Sequence, residues 1–236
     1  MNCTICHDRG LIEKEKGVFV QCSCIRKENL EVKQSQSNIP PLYRGKTFAD
    51  FKLNYYSKVY YDREKNISYF ESAERALNAA KNFVEKLLKG EKTKGLYLSG
   101  PIGSGKTLLA AIIANEVINA GKDVLFVVVP EFLEKLKQSF GEADDGALME
   151  KALTAEVLIL DDLGAHNYTE WTINTLYLII NHRLNYQRPV IITTNIGIED
   201  LESFLGERTT SRIFQLCHHY RLPVDLDIRL KISGGM

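Results

Sequence analysis

The chain has no excess of either charge. Its 236 residues hold 30 Lys+Arg against 30 Asp+Glu, so no global basicity marks a nucleic-acid partner. Any DNA-contacting surface must be local, and composition does not locate it. Apolar stretches long enough to span a bilayer as a helix are absent. Asn2 to Gly10 is polar and cysteine-bearing, unlike a secretory signal, and no internal repeat is visible. These absences predict a cytoplasmic protein with no membrane partner, in a compartment where structural disulfides are rare. Cysteine itself is nearly missing beyond residue 24: of five, four crowd into residues 3–24. The fifth, Cys217, is expected in the core.

The length allows one good-sized core plus a small appendage. Residues 1–24 read as a Cys-rich unit, 25–47 as a polar linker that is part helical before Pro40 and Pro41, and 48–236 as the globular domain. Ser68 to Lys89 places Phe70, Ala73, Leu77, Ala80, Val84 and Leu87 at helical spacing. Ser68 and Glu71 fit a capping box, and Gly90 follows the end. Strands then alternate with helices. Strands are predicted over Leu96–Ser99, Val124–Val129, Val157–Leu160 and Val190–Thr194. Helices are predicted over Lys106–Ala120, Pro130–Ser139 and Thr169–Tyr186. Short buried strands between helices argue for an α/β fold with a parallel sheet covered on both faces.

Between the first of these strands and its helix stands Gly100-Pro101-Ile102-Gly103-Ser104-Gly105-Lys106-Thr107, the spacing G-x-x-x-x-G-K-S/T of a P-loop. Such glycines let backbone N–H groups close on phosphates, and the helix that follows, with Leu108 in its first turn, points its positive end at the same anion. Lys106 suits the β- and γ-phosphates of ATP, and the Thr107 hydroxyl suits Mg2+. The strand Val157–Leu160 ends in Asp161-Asp162, where a P-loop enzyme needs a carboxylate for Mg2+ and one to orient the attacking water; two turn aspartates are the plain alternative. Asn195 ends the strand Val190–Thr194 and reads equally as a γ-phosphate contact or a turn asparagine. Arg208 and Arg212 share one helix face, four residues apart, and read as a solvated face or as a phosphate-stabilising pair. Arg229, in Asp227-Ile228-Arg229, is as ambiguous by itself.

Cys3-x-x-Cys6 and Cys22-x-Cys24 offer four soft ligands at spacings that suit tetrahedral Zn2+. Free or redox thiols are the alternative, and His7 is awkwardly placed to substitute beside Cys6. A unit this small needs the metal to fold.

In this order, these elements resemble the AAA+ ATPases and, more closely, the bacterial replicative helicase loaders of the DnaC/DnaI type and their IstB-like relatives. The resembling text covers roughly Pro40 to Lys231. It includes Pro41-Leu42-Tyr43, Thr47 to Phe51, the P-loop, Leu158 to Ala165, Thr169-Glu170-Trp171, Ile179 to Arg183, Pro189 to Asn195 and Gly206 to Arg212. The resemblance implies that 48–236 is an AAA+ ATPase domain with a parallel five-stranded sheet. It makes Gly100 to Leu108 with Asp161 the nucleotide cradle, and Thr107 and Asp161 the magnesium ligands. It makes Lys106, Asp162, Asn195 (sensor 1), Arg212 (arginine finger) and Arg229 (sensor 2) catalytic, with Arg208 a neighbouring candidate for the finger. An Asp at 162, where many AAA+ proteins have Glu, implies slow hydrolysis. His166 stands where loaders commonly carry Glu, and the few residues after Arg229 are too short for a full helical lid.

A finger acts on a neighbour's ATP, so the resemblance also implies self-association. It implies single-stranded DNA and a replicative ring helicase as partners, with Lys135, Lys137 and Lys151 in the insert 130–155 as the local basic groups. Two other functions fit the same motifs: an IstB-like transposition helper ATPase, and a non-hydrolysing adaptor switched by ATP.

Overall fold

The computed structural model describes residues 3–62, 66–139, 146–164, 168–197 and 199–233. The chain starts with an antiparallel hairpin, β1 (Leu11–Glu15) and β2 (Val18–Gln21), followed by helix α1 (Ser23–Gln36). Single 3-10 turns at Pro41–Tyr43, Phe48–Asp50 and Leu53–Tyr55 lead to a minimal strand pair, β3 (Tyr61–Asp62) and β4 (Ile67–Ser68). Helix α2 (Tyr69–Leu88) starts at the expected capping box. The Ser68 hydroxyl accepts from Glu71 N–H at 3.1 Å, and Glu71 Oε2 accepts from Ser68 N–H at 2.8 Å. The alternating region then follows: β5 (Gly95–Ser99), α3 (Lys106–Asn119), β6 (Val124–Val128), α4 (Val129–Ser139), α5 (Ala147–Thr154), β7 (Val157–Leu163), α6 (Glu170–Asn185), β8 (Val190–Thr194), α7 (Leu201–Leu216), β9 (Cys217–Arg221) and α8 (Ile228–Ser233).

β5 to β9 form one parallel sheet in the order β6-β7-β8-β5-β9. Every crossover passes through helix, as parallel neighbours require. Alternate residues of each strand serve different cores. Leu96, Leu98, Phe126 and Ile159 pack with α2 and α3 on one face. Tyr97, Leu125, Leu158 and Ile192 pack with α4, α5, α6 and α7 on the other. The α/β fold with five parallel strands agrees with expectation. The fifth strand, β9, had no apolar run to announce it. Its Cys217 is buried, as expected of a core residue, with Sγ donating to the Val190 carbonyl at 3.3 Å.

The third predicted strand runs on to Leu163. Its pairing with β8 slips between Leu160 and Leu163, and Asp162 adopts the left-handed φ of 59° inside the slip. α7 bends at Gly206 (φ 76°, ψ 157°), so Arg208 and Arg212 lie beyond the bend.

The polar segment after the hairpin packs along the domain. Lys33 pairs with Asp123 at 2.8 Å, and the Ser37 carbonyl accepts from Phe126 N–H at 2.8 Å, so it covers part of the β6 edge. Ile39 is 1% exposed within the α2/α3 core, and burial of such a side chain is worth roughly 1.5–3 kcal/mol. Among the described residues, no helix is long and apolar enough to cross a membrane.

Candidate nucleotide site and metal centre

β5 delivers the P-loop at its C-terminal end, and α3 carries it away. Gly105 caps α3 with φ 86°, a conformation that side chains resist. Gly103 has φ 72°, and a Cβ there would lie 2.0 Å from the Asp227 carboxyl carbon. Two flanking segments clasp the loop. From the N-terminal side, the buried Tyr56 hydroxyl donates to the Ser104 carbonyl at 2.7 Å. From the C-terminal side, Ile228 N–H donates to the Gly103 carbonyl at 3.0 Å. Lys231 Nζ ties the two clasps together through the Tyr55 carbonyl at 2.9 Å. Pro101 and Ile102 stay exposed at the tip, and Leu108 is partly buried in the first turn of α3.

Lys106 is 7% exposed and donates to the carbonyls of Gly100 and Pro101, both at 2.8 Å. Burial pushes its ammonium down to about 8, against the opposing charges of Asp162 and Asp161. An amine so placed, with two main-chain carbonyls and a longer contact to Ser104 Oγ at 3.4 Å as partners and no carboxylate among the described residues bonded to it, suits an incoming polyanion.

Asp161 and Asp162 divide their contacts. Asp161 is buried, and burial raises its carboxyl pKa, while hydrogen bonds from Thr193 and Thr107 pull the other way. Thr193 Oγ1 donates to Asp161 Oδ1 at 2.6 Å and accepts from Asp162 N–H at 2.9 Å. Asp162 faces outward, and Asn195 Nδ2 donates to its Oδ1 at 3.3 Å. The left-handed backbone at Asp162 separates these two directions. One carboxylate lies against the Thr107 hydroxyl and its neighbour against the Asn195 amide. Thr107 and Asp161 thus offer two oxygens of the kind Mg2+ takes.

Arg229 lies at the same end. Its guanidinium grips Asp227 at 2.7–3.2 Å, and its charge is felt at Lys106 and at the half-buried Tyr43. Arg212 does not join this group. It lies against α6, with Nε–H donating to Asn181 Oδ1 at 2.7 Å. Arg208 is exposed. His166 and Ala165 fall outside the described residues. In the insert, Lys151 is engaged by the Gln36 carbonyl, whereas Lys135 and Lys137 are exposed.

Three contributors were invisible to local reading: Thr193 between the two aspartates, Tyr56 under the loop, and Asp227 beside Gly103. Thr193 had a weak signal, a hydroxyl two residues before Asn195. Asp227 was visible only as the first residue of Asp227-Ile228-Arg229, and Tyr56 had no signal.

The four N-terminal cysteines converge. Their Sγ atoms lie within 4.8 Å of one another, with Cys3–Cys22 at 3.8 Å and Cys6–Cys24 at 3.4 Å. None is in a disulfide. A tetrahedral zinc with Zn–S near 2.3 Å sets S···S at about 3.8 Å, so the donor set fits that ion. Backbone N–H groups of Cys6 and Ile5 hold the Cys3 thiol down to about 6, while a shared proton with Cys6 holds Cys24 up to about 12. Among the described residues this is the only cluster of metal-type donors. The hairpin beside it leaves Leu11, Val18 and Phe19 more than half exposed.

The five-stranded parallel sheet and the loop at the end of β5 define the class: a P-loop protein with the α/β architecture of AAA+ domains. The chain belongs to the IstB-like ATP binding protein family, whose model matches residues 69–227. It is 31% identical over 155 residues to the replicative helicase loader DnaI of Bacillus subtilis (strain 168), a match covering 62% of this chain and 50% of that protein. It is 25% identical over 207 residues to the replicative helicase loader DnaC of Escherichia coli (strain K12), covering 85% of this chain and 77% of DnaC. The crystal structure of a DnaC helicase loader superposes with a TM-score of 0.59 at 28% identity, covering 75% of this chain and 98% of that one. The chain therefore spans only about half the length of its DnaI relative.

Proposed function

We propose that this chain is an ATP-dependent helicase loader acting in the cytoplasm: it binds ATP and Mg2+, hydrolyses ATP slowly, and delivers a replicative ring helicase to single-stranded DNA. The observation that carries the reading is the convergence on one loop of Lys106, the Thr107–Asp161 pair, the Asp162–Asn195 pair and Arg229. This set has a role for each step of phosphoryl transfer. The P-loop amides and Lys106 hold the phosphates. Thr107 and Asp161 would hold Mg2+, which when bound would neutralise phosphate charge. Asp162, steadied by Asn195, orients the attacking water. Arg229 leaves Asp227 for the γ-phosphate, and Arg212 serves the nucleotide of an adjoining copy.

The N-terminal cysteines hold zinc in this reading, and the zinc hairpin docks the helicase through Leu11, Val18 and Phe19. Lys135 and Lys137 are the local basic groups for single-stranded DNA. Likeness to DnaI and DnaC supports the choice of partner. The test is to mix the protein with its host's replicative helicase, with and without ATP, and to weigh the complexes by native mass spectrometry. An ATP-sensitive complex of defined stoichiometry supports loading, and its loss in Phe19→Ser with zinc retained supports the docking face. No complex under either condition overturns the loader reading.

The matched family model itself favours a second reading, a transposition helper. An ATP-sensitive complex with a transposase rather than a helicase distinguishes it. Undetectable turnover with both DNA and helicase present would favour the adaptor reading.

A further inference from the structure

Two arginines on neighbouring helices are used in opposite ways. Arg183 on α6 is fully buried, and both its Nη atoms donate to main-chain carbonyls. Arg212 on α7 is only partly consumed. Its Nε–H donates to Asn181 Oδ1 at 2.7 Å, Nη1–H donates to the Arg208 carbonyl at 3.0 Å, and the guanidinium carbon sits 4.7 Å from the Tyr177 ring centroid. Tyr177 and Asn181 are four residues apart on α6 and so share one face. Nη2, with two N–H donors, has no partner among the described residues.

Nε, Nη1 and one face of the guanidinium are therefore held, and the N–H groups of Nη2 are left open. Such a fork can take phosphate oxygens with little further loss of side-chain freedom. The chain's own P-loop is not the acceptor. Arg212 is engaged on α6 and α7, by Asn181, the Tyr177 ring and the Arg208 carbonyl, whereas the P-loop is clasped by Tyr56 and Ile228. The same two helices also leave Leu178 59% and Phe214 46% exposed, apolar surface of the kind that a second protein chain covers.

We infer that Tyr177 and Asn181 are positioning residues that aim Arg212 at the nucleotide phosphates of a second copy of this chain. The inference rests on the proposed ATPase with a site completed in trans. It makes α6 a working part of the neighbour's site. Asn181 fixes the rotation of the guanidinium plane through Nε, and the Tyr177 ring supports the face of that plane by cation–π contact.

The test uses mixtures of full-length subunits in the presence of single-stranded DNA. Lys106→Ala subunits bind no nucleotide but carry the finger. Arg212→Ala subunits bind nucleotide but lack it. Mixed together, they are expected to restore ATP turnover that neither shows alone. Adding Asn181→Ala to the finger-donating subunit should cut the restored kcat about tenfold with KM unchanged, the loss expected for one charge-assisted hydrogen bond. Adding it to the nucleotide-binding subunit should leave the restored rate intact. Tyr177→Leu in the donor should act like Asn181→Ala, and Tyr177→Phe, which keeps the ring face, should restore the rate.

Equal losses from either placement of Asn181→Ala, or no loss from the donor placement, overturn the positioning role. If the unmutated chain hydrolyses ATP but the two single variants fail to restore turnover, the trans site fails and the positioning role with it. If the unmutated chain shows no turnover, the ATPase reading fails first.

Discussion

Removing the Arg183 guanidinium should destabilise the fold by about 3–5 kcal/mol, although Arg183 touches none of the candidate site residues. The side chain is 0% exposed, and its Nη atoms reach the carbonyls of Ala152 (2.9 Å), Ala155 (3.0 Å) and Pro189 (2.9 Å), with longer contacts to Leu153 and Glu156. Those oxygens belong to the end of α5, the entry to β7 and the entry to β8. One cation therefore caps a helix C-terminus and pins two strand starts. Burial pushes the guanidinium down to about 9, which still leaves it charged at neutral pH. In Arg183→Ala, three buried carbonyls lose their donor at roughly 1–3 kcal/mol each, and the vacated stem adds a cavity term. Relief from burying a charge offsets part of the sum, which brings the net to about 3–5 kcal/mol. Arg183→Lys keeps the charge but not the fork and should fall between. Urea unfolding followed by circular dichroism measures the loss. Hydrogen exchange should also show early opening of Ala147–Thr154, because that helix loses its cap. A loss below about 1 kcal/mol, or unchanged protection of α5, would refute the clamp.

Three further expectations follow from the geometry. The purified protein should contain one zinc per chain; Cys22→Ser should abolish it and expose the hairpin to protease, while the melting of the sheet domain stays in place, since Ile39 and later residues make their own core contacts. Lys106 titrates near 8 in the free site, and bound phosphates must raise that value, so ATP binding takes up protons above about pH 8. Affinity should therefore fall between pH 7 and 9, and calorimetry in buffers of different ionisation enthalpy should show the uptake; a flat profile would count against a buried Lys106. The sign for stability is the reverse. The unfolded lysine keeps its proton up to about 10.4, so this group's contribution to folding rises with pH between about 8 and that value. Thr193→Val strips a hydrogen bond from Asp161 and leaves Asp162 N–H unpaired, so turnover at saturating Mg2+ should drop about tenfold with a stability loss of about 1–3 kcal/mol; unchanged turnover would mean that the threonine does not set the carboxylates.

What could be read without coordinates was local in sequence. The P-loop lies within eight consecutive residues between an apolar strand and an apolar helix, and the capping box at Ser68 and Glu71 lies within four. The cysteine cluster was legible because metal ligation tolerates few spacings. β9 was not legible: Cys217-His218-His219-Tyr220-Arg221 is polar because the strand lies at the sheet edge, where only its β5 side is paired. The packing of residues 33–39 against β6 was hidden for a similar reason. Its partners are Asp123 and Phe126, and its own residues are polar apart from Ile39.

The pairing of distant side chains came only from the fold. Asp161 and Asp162 are adjacent in sequence, yet their different contacts come from Thr193 and Asn195, more than thirty residues later, and from the left-handed backbone at Asp162. Arg229 and Arg212 were equally ambiguous as residues in a chain. The C-terminal segment brings the first over the loop, and α6 holds the second away from it. Motif and periodicity decide which chemical groups are present and which element carries them, because those depend on covalent spacing and backbone period. Which of those groups face one another is decided by how the sheet and its helices pack, because contacts across the sheet are set by burial of the two apolar faces.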